Sequence, residues 1–318
     1  MFVAVVSSAG LREDLADDLK RRFPQETFYF FRNIKEAAPY LGEAEIFITY
    51  GEDLTGQDIK NMVSLRWIMV ISAGMDEMPF EEIAARDILV TNAKGIHAGP
   101  MAEYAVHRML HYSRKTEVVQ KQEQEHYWSR APVMEELRGK QLLIAGAGAI
   151  GSETARLAQA FGMHTIGVNA SGKHVDHFDQ VYPVEDLLKH LPRADFVISV
   201  LPKMPETDGL FSRAAFEKMQ EHALFINMGR GNAVDDEALI AAVDEGRPGS
   251  AVLDVFDTEP LPVEHPFWDH PKITVTPHLS GISPQYQPRS MDIFHWNMEV
   301  YRGGEESYWN LVDPEKGY

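Results

Sequence analysis

The chain has no cysteine in its 318 residues, which excludes disulfide bonds, thiolate-bound metals and a cysteine nucleophile. Proline and glycine, at 18 and 23, are not in excess, and neither a collagen-like repeat nor a low-complexity linker is present. No apolar run approaches the roughly 18 to 20 residues that a membrane-crossing helix needs. Basic residues are outnumbered, 30 against 48 acidic, for a formal net charge of −18. Such a field repels nucleic acid and anionic lipid, so neither is expected as a partner, and an anionic small substrate requires locally placed cations. Residues 1–6 carry no basic flank and too short an apolar stretch for a secretory signal. They read as a first strand, and the protein is expected in the cytoplasm.

What is present is 44% apolar and 25% charged, the balance of a folded chain, with a length suited to two domains. Short β-rich runs at residues 2–6, 46–49, 67–71 and 89–91 are separated by helix-like stretches such as 11–22, the alternation of a parallel sheet covered by helices. A longer helix opens at Pro100 and runs to about Lys121, with Met101, Ala102, Ala105, Val106, Met109 and Leu110 on one face. A second βα series follows, with apolar cores at 142–145, 165–168, 196–201, 223–227, 251–255 and 273–275. The helical stretch 285–301 has no strand of its own and is expected to return to the first domain. The expected fold is α/β, with residues 1–98 and 284–318 forming one discontinuous domain and 99–283 the other.

Gly146-Ala-Gly148-Ala-Ile-Gly151 directly follows an apolar strand and opens a stretch that places Ile150, Thr154, Leu157, Ala158 and Phe161 on one helical face. In that context Gly146 allows the tight turn, Gly148 lets backbone N–H groups approach a pyrophosphate, and Gly151 permits close helix packing, so a dinucleotide is the expected ligand. About 20 residues beyond the glycines, an NAD-binding domain usually offers a carboxylate to the ribose. Here the strand ends in Asn169, followed by Ala170, Ser171, Gly172 and Lys173. A carboxylate would repel a 2′-phosphate, whereas Asn169, Ser171 and Lys173 can donate to one. NADP(H) is therefore the favoured cofactor, and NAD the alternative.

Three later strand ends carry unusual polar residues. Arg230 sits between Gly229 and Gly231, where its planar fork suits a carboxylate and the neighbouring carbonyl of a 2-oxo acid. Glu259 lies in a proline-rich turn, and His278 follows a strand and Pro277. Hydride delivery to a carbonyl builds negative charge on oxygen, which calls for a proton donor titrating near neutrality and a cation to hold the substrate. A carboxylate beside the histidine favours imidazolium and fixes its orientation. Arg230, Glu259 and His278 supply those three functions.

These segments together resemble the D-isomer-specific 2-hydroxyacid dehydrogenase family, which includes glyoxylate/hydroxypyruvate reductases and phosphoglycerate dehydrogenases. The likeness runs through Ser72-Ala-Gly-Met-Asp76, residues 92–103, the glycine loop, and residues 227–235, 253–262 and 276–281. It implies two Rossmann-like or flavodoxin-like domains with the active site in the cleft between them. It makes Arg230, Glu259 and His278 the catalytic residues and brings Asp254 to the nicotinamide carboxamide. Backbone N–H groups of Ala73 and Gly74 then bind the substrate carboxylate, and His97, near the interdomain crossing, is a candidate substrate contact. Ala149, Ile150 and Pro202 complete the cofactor set. The implied reaction reduces a glyoxylate- or hydroxypyruvate-like 2-oxo acid to the D-2-hydroxy acid with NAD(P)H, in a homodimer. A nicotinamide-nucleotide-sensing binding protein without turnover is the alternative. Glu103, His107 and His111 share a helix face at i, i+4 and i+8 but read as a solvated or subunit-contact face, and no metal is expected.

Overall fold

The computed structural model describes residues 3–72, 74–75, 77–304 and 307–315. The chain divides into two units, Met1–His97 with Ser283–Tyr318, and Ala98–Ile282.

The first unit is a five-stranded sheet of β1 (Ala4–Ser7), β2 (Thr27–Phe30), β3 (Ile46–Thr49), β4 (Trp67–Val70) and β5 (Leu89–Asn92). All pairs are parallel, in the order β2-β1-β3-β4-β5, the doubly wound flavodoxin-like arrangement. β3 and β4 are buried on both faces, which is why they read as unbroken apolar runs rather than alternating ones. The Glu13–Arg22 helix has acidic residues in its first turn and basic ones in its last, matching its dipole, and buries Ala16 and Leu19. The Tyr286–Tyr301 helix returns to this sheet, as its lack of a strand suggests. Met291, Phe294 and Met298 join the core, and Phe294 stacks on Trp67 at 5.1 Å.

The second unit holds β6 (Gln141–Ala145), β7 (His164–Asn169), β8 (Gln180–Pro183), β9 (Phe196–Ser199), β10 (Leu224–Asn227), β11 (Ser250–Leu253) and β12 (Ile273–Val275). Its order is β12-β11-β10-β9-β6-β7-β8, every pair parallel. The direction of winding reverses between β6 and β9, and open α/β sheets receive ligands beyond the carboxyl ends of the strands at such a reversal.

Two features depart from the sequence reading. β2 and β8 were not anticipated: both are edge strands of half-exposed residues, β8 with a mixed pattern and β2 with the aromatic run Phe28-Tyr29-Phe30 that the reading passed over. The helix read from Pro100 to Lys121 is two helices, Ala98–Ser113 and Thr116–Gln124. Lys115 interrupts them in the left-handed conformation, φ 50°. Pro100 sits in the first turn, where its missing N–H has no intrahelical partner to lose.

Candidate active site

The glycine loop joins β6 to the Ala149–Ala160 helix. Gly146 has φ 107°, and a Cβ there would stand 2.7 Å from the Val200 carbonyl oxygen. A Cβ on Gly151 would overlap the Gly146 carbonyl oxygen. Both glycines are demanded by close approach. Gly148 is different: a Cβ on it would meet nothing within 4 Å. It is the N-cap of the helix and provides no side-chain cap, so the first N–H groups of that helix have no intrahelical or cap partner. Exposed Ala149 and half-buried Ile150 form the first turn. An uncapped helix start behind a cradle free of side chains fits the pyrophosphate of a dinucleotide.

Beyond β7, the Asn169 side chain is used locally. Its Oδ1 accepts from the N–H groups of Ser171 at 3.1 Å and Gly172 at 2.6 Å, and its Nδ2 donates to the Lys173 carbonyl at 3.1 Å. Asn169 therefore folds the turn, and the groups the turn presents are Ser171 and Lys173, both exposed. The Lys173 ammonium has no partner among the described residues, and an unpaired cation there suits a 2′-phosphate better than a bare ribose.

The turns that follow β9, β10 and β11 press on one another. A Cβ on Gly229 would lie 2.6 Å from the Leu201 nitrogen, and one on Gly231 would overlap the Phe256 carbonyl carbon. Arg230 is held between these contacts. Its carbonyl accepts from Asn227 Nδ2 at 3.0 Å, and its Nη1 donates to the Gly229 carbonyl at 3.0 Å. Exposed Pro202 lies just past β9, its carbonyl accepting from Thr207 Oγ1 at 2.8 Å.

One strand further along, Glu259 and His278 pair, with Nδ1 2.8 Å from Oε2. The other Glu259 oxygen accepts from the Phe256 N–H at 2.9 Å, so the carboxylate is anchored to its own turn. With Nδ1 committed, His278 Nε2 has no partner among the described residues, and the side chain is 54% exposed. His278 has φ 49°, a left-handed conformation costing about 1 to 2 kcal/mol in a non-glycine residue. The cost is met by Asp254. The Asp254 main-chain carbonyl accepts from His278 N–H at 2.9 Å, and its carboxylate accepts from Leu279 N–H at 3.1 Å and Ser280 N–H at 2.9 Å. Asp254 is fully buried, and contact with a carboxamide would add to these bonds rather than replace them.

Behind Asp254 lies a pair the sequence reading missed. Thr276 Oγ1 donates to Asp254 Oδ1 at 2.5 Å, and the Tyr104 hydroxyl lies 2.7 Å from Thr276 Oγ1. Since the threonine proton is taken, Tyr104 is the donor. Burial, outweighing its bond to Thr276 and the nearness of Arg108, holds the Tyr104 phenol above its ordinary range and keeps it a donor. The one signal available was a hydroxyl within the otherwise apolar helix face.

In the first unit, the single Ser72 hydroxyl proton is shared between the Tyr50 carbonyl at 3.0 Å and the Gly74 carbonyl at 2.7 Å. Ala73 and Asp76 lie outside the described residues. His97 packs edge-on against Tyr286 at 5.0 Å.

Residues 106–280 match the family described as D-isomer specific 2-hydroxyacid dehydrogenase, NAD binding domain. The chain is 30% identical to glyoxylate/hydroxypyruvate reductase A of Yersinia enterocolitica, over 82% of this chain and 84% of that one. It is similar to a solved D-isomer specific 2-hydroxyacid dehydrogenase family protein of Aeromonas salmonicida, with TM-score 0.88, 32% identity and coverage of 98% and 99%. A D-isomer specific 2-hydroxyacid dehydrogenase of Xanthobacter autotrophicus, solved with NADPH and MES, is similar with TM-score 0.82, 25% identity and full coverage of both chains.

Proposed function

Since the chain belongs to the D-isomer specific 2-hydroxyacid dehydrogenase family, we propose that it reduces a small 2-oxo acid of the glyoxylate or hydroxypyruvate class to the D-2-hydroxy acid, using NADPH. The observation that carries this reading is the Glu259–His278 pair at 2.8 Å, beside the Arg230 turn and in the same sheet as the glycine loop. The second unit binds the dinucleotide, with Gly146, Gly148, Ala149, Ile150, Gly151 and Pro202 along the pyrophosphate and nicotinamide path, and Asp254 at the carboxamide. Ser171 and Lys173, shaped by Asn169, receive the 2′-phosphate, and the NADPH bound to the Xanthobacter relative supports that choice. The first unit binds substrate through the N–H groups of Ala73 and Gly74 and through His97.

When bound, NADPH supplies the hydride. Arg230 holds the substrate carboxylate and draws negative charge toward itself as it develops on the keto oxygen. His278, protonated at both nitrogens, gives the Nε2 proton to that oxygen, while Glu259 keeps the ring aimed and stabilises its charge. Asp254, Thr276 and Tyr104 hold the backbone that presents the imidazole. The protein works in the cytoplasm as a homodimer. Exposed apolar side chains between residues 118 and 134, including Tyr127 at 62% and Trp128 at 88%, support self-association.

The test is NADPH oxidation on adding glyoxylate, hydroxypyruvate and a panel of larger 2-oxo acids, repeated with NADH. Turnover with the two small acids and a higher kcat/KM for NADPH is expected. No oxidation with any acid ends the proposal, and a preference for NADH ends its cofactor half. Light scattering at the mass of one chain removes the dimer.

A further inference from the structure

At the opposite end of the second sheet, near the start of β10, β11 and β12, lies a cavity of about 150 Å³. It is walled by the end of the Ala98–Ser113 helix, the start of the Thr116–Gln124 helix and residues 250–252 and 271–274. Three cations line it: Arg108, Lys115 and Lys272. In a chain with 48 carboxylates and 30 basic residues, cations ordinarily find acids. These three make no ion pair within 4 Å among the described residues. The Arg108 guanidinium lies over the Tyr104 ring at 4.9 Å, and its Nε is buried without a hydrogen-bond partner. The Lys115 ammonium sits over the Tyr112 ring at 4.4 Å, and that of Lys272 donates to the Val243 carbonyl at 3.0 Å. Glu117 is the single carboxylate among the lining residues, and His111 Nε2 approaches it at 3.3 Å.

The neutral lining is mixed, with apolar Val118, Leu224, Ala251 and Val252 beside three aliphatic hydroxyls. Thr116, Ser250 and Thr274 bring hydroxyls to the wall. The Thr116–Gln124 helix begins there with Lys115 at its N-cap and no side-chain cap, leaving its first N–H groups without intrahelical partners. A buried donor left unpaired is costly, and several cations with hydroxyl and backbone donors around one cavity match a compact multivalent oxyanion.

We propose that this cavity binds a phosphate group, carried either by inorganic phosphate or by a small phosphate monoester. The site lies at the amino ends of the strands, whereas the glycine loop and Lys173 lie at the carboxyl ends, so its occupant is separate from the dinucleotide.

Calorimetric titration of the full chain with inorganic phosphate at fixed ionic strength tests this, with glycerol 3-phosphate as the ester because it has no carboxylate to enter a 2-oxo acid site. Binding at millimolar or lower concentration is expected, weakened about tenfold or more in Lys115→Gln/Lys272→Gln and unchanged in Lys173→Gln, where tenfold corresponds to about 1.4 kcal/mol. Tighter binding of the ester assigns the site to an organic phosphate, and equal binding assigns it to the free ion. Lys115 is half-buried and Lys272 exposed, and an unchanged melting temperature confirms that the double variant folds. Arg108→Gln provides a second loss at the buried donor. Unchanged affinity in the folded lysine variant overturns the proposal. So does loss in Lys173→Gln instead, or an equal heat with chloride. A phosphate-insensitive dimer whose dissociation alone opens the cavity would show that a second copy fills it, and also overturns the proposal.

Discussion

The two units end their strands with the same device and then diverge. In the first, Ser7, Thr49 and Asn92 each accept a bond from the N–H two residues on, at 3.3, 2.9 and 3.0 Å. In the second, Asn169 and Asn227 do likewise, at 3.1 and 3.2 Å. These are the local turns that short polar side chains favour. The second unit adds backbone-to-backbone contact between neighbouring turns, at Gly146 against Val200, Gly229 against Leu201 and Gly231 against Phe256. In the first unit, a Cβ on Gly51 would meet the pliable Met78 side chain, at 3.0 Å. The first set of turns is joined by hydrogen bonds, Gly10 N–H to the Phe31 carbonyl and Ala93 N–H to the Ser72 carbonyl, each at 3.0 Å, whereas the second also packs backbone directly on backbone. Positional accuracy for chemistry comes from the second arrangement, and tolerance to substitution from the first.

The contrast is broken most directly by adding one carbon to each. Gly231→Ala must displace the Phe256 backbone and is expected to lose at least about 3 kcal/mol of stability together with activity. Gly51→Ala is strained by its φ of 94° and has only the Met78 and Val70 side chains to displace, and should lose about 1 to 2 kcal/mol. Denaturant unfolding of the pair that ranks them equally removes the distinction. Next comes His278→Ala, expected to lower kcat by roughly 10² or more with the melting temperature nearly unchanged; normal turnover in stopped-flow assays strips the imidazole of its role. Tyr104→Phe removes one buried donor from the Thr276–Asp254 chain and should cost about 1 kcal/mol, along with a modest fall in kcat. A fall in stability with kcat intact would confine that chain to structure.

The smallest effect belongs to the first unit. Burial, reinforced by Arg22 and only partly offset by Asp18, Asp292 and Glu299, holds the His295 imidazole below its ordinary range. The folded state therefore binds this proton less readily than the unfolded chain. Its stability is full above the ordinary histidine value of about 6.5 and declines as pH falls through that value toward the lower folded one. Melting curves between about pH 8 and 5.5 should show a loss smaller in His295→Gln than in the native chain. Parallel curves would mean that other groups set the acid response.

The sheets were legible because their central strands are long apolar runs bounded by turn residues: β3, β4, β6 and β10 could be read almost to their ends. β8 was not, since an edge strand buries only part of each side chain and leaves a mixed pattern, and β2 was passed over although Phe28-Tyr29-Phe30 favours a strand. The break at Lys115 left no mark either, because no proline or glycine announces it. Within the site, the glycine loop and the turns around Arg230, Glu259 and His278 were visible as local patterns. The support beneath them was not. Tyr104 and Thr276 lie 172 positions apart, and only the fold brings one to the other. Asn169 was read as a donor to the cofactor, and its second role, folding its own turn, could not be read from the sequence.

The return of the Tyr286–Tyr301 helix to the first sheet also sets a timetable for synthesis. Domains generally fold as units while the chain emerges from its amino end. Here the first sheet emerges before the second, yet Trp67 and Met69 await Phe294, Met291 and Met298, which are made only after the whole second unit. The 185 residues from Ala98 to Ile282 leave the ribosome contiguous. The domain made second is thus the first with its whole core in hand, and the one begun earliest, though its five strands are already made, spends longest with apolar surface uncovered, which is where a nascent-chain chaperone would find its target.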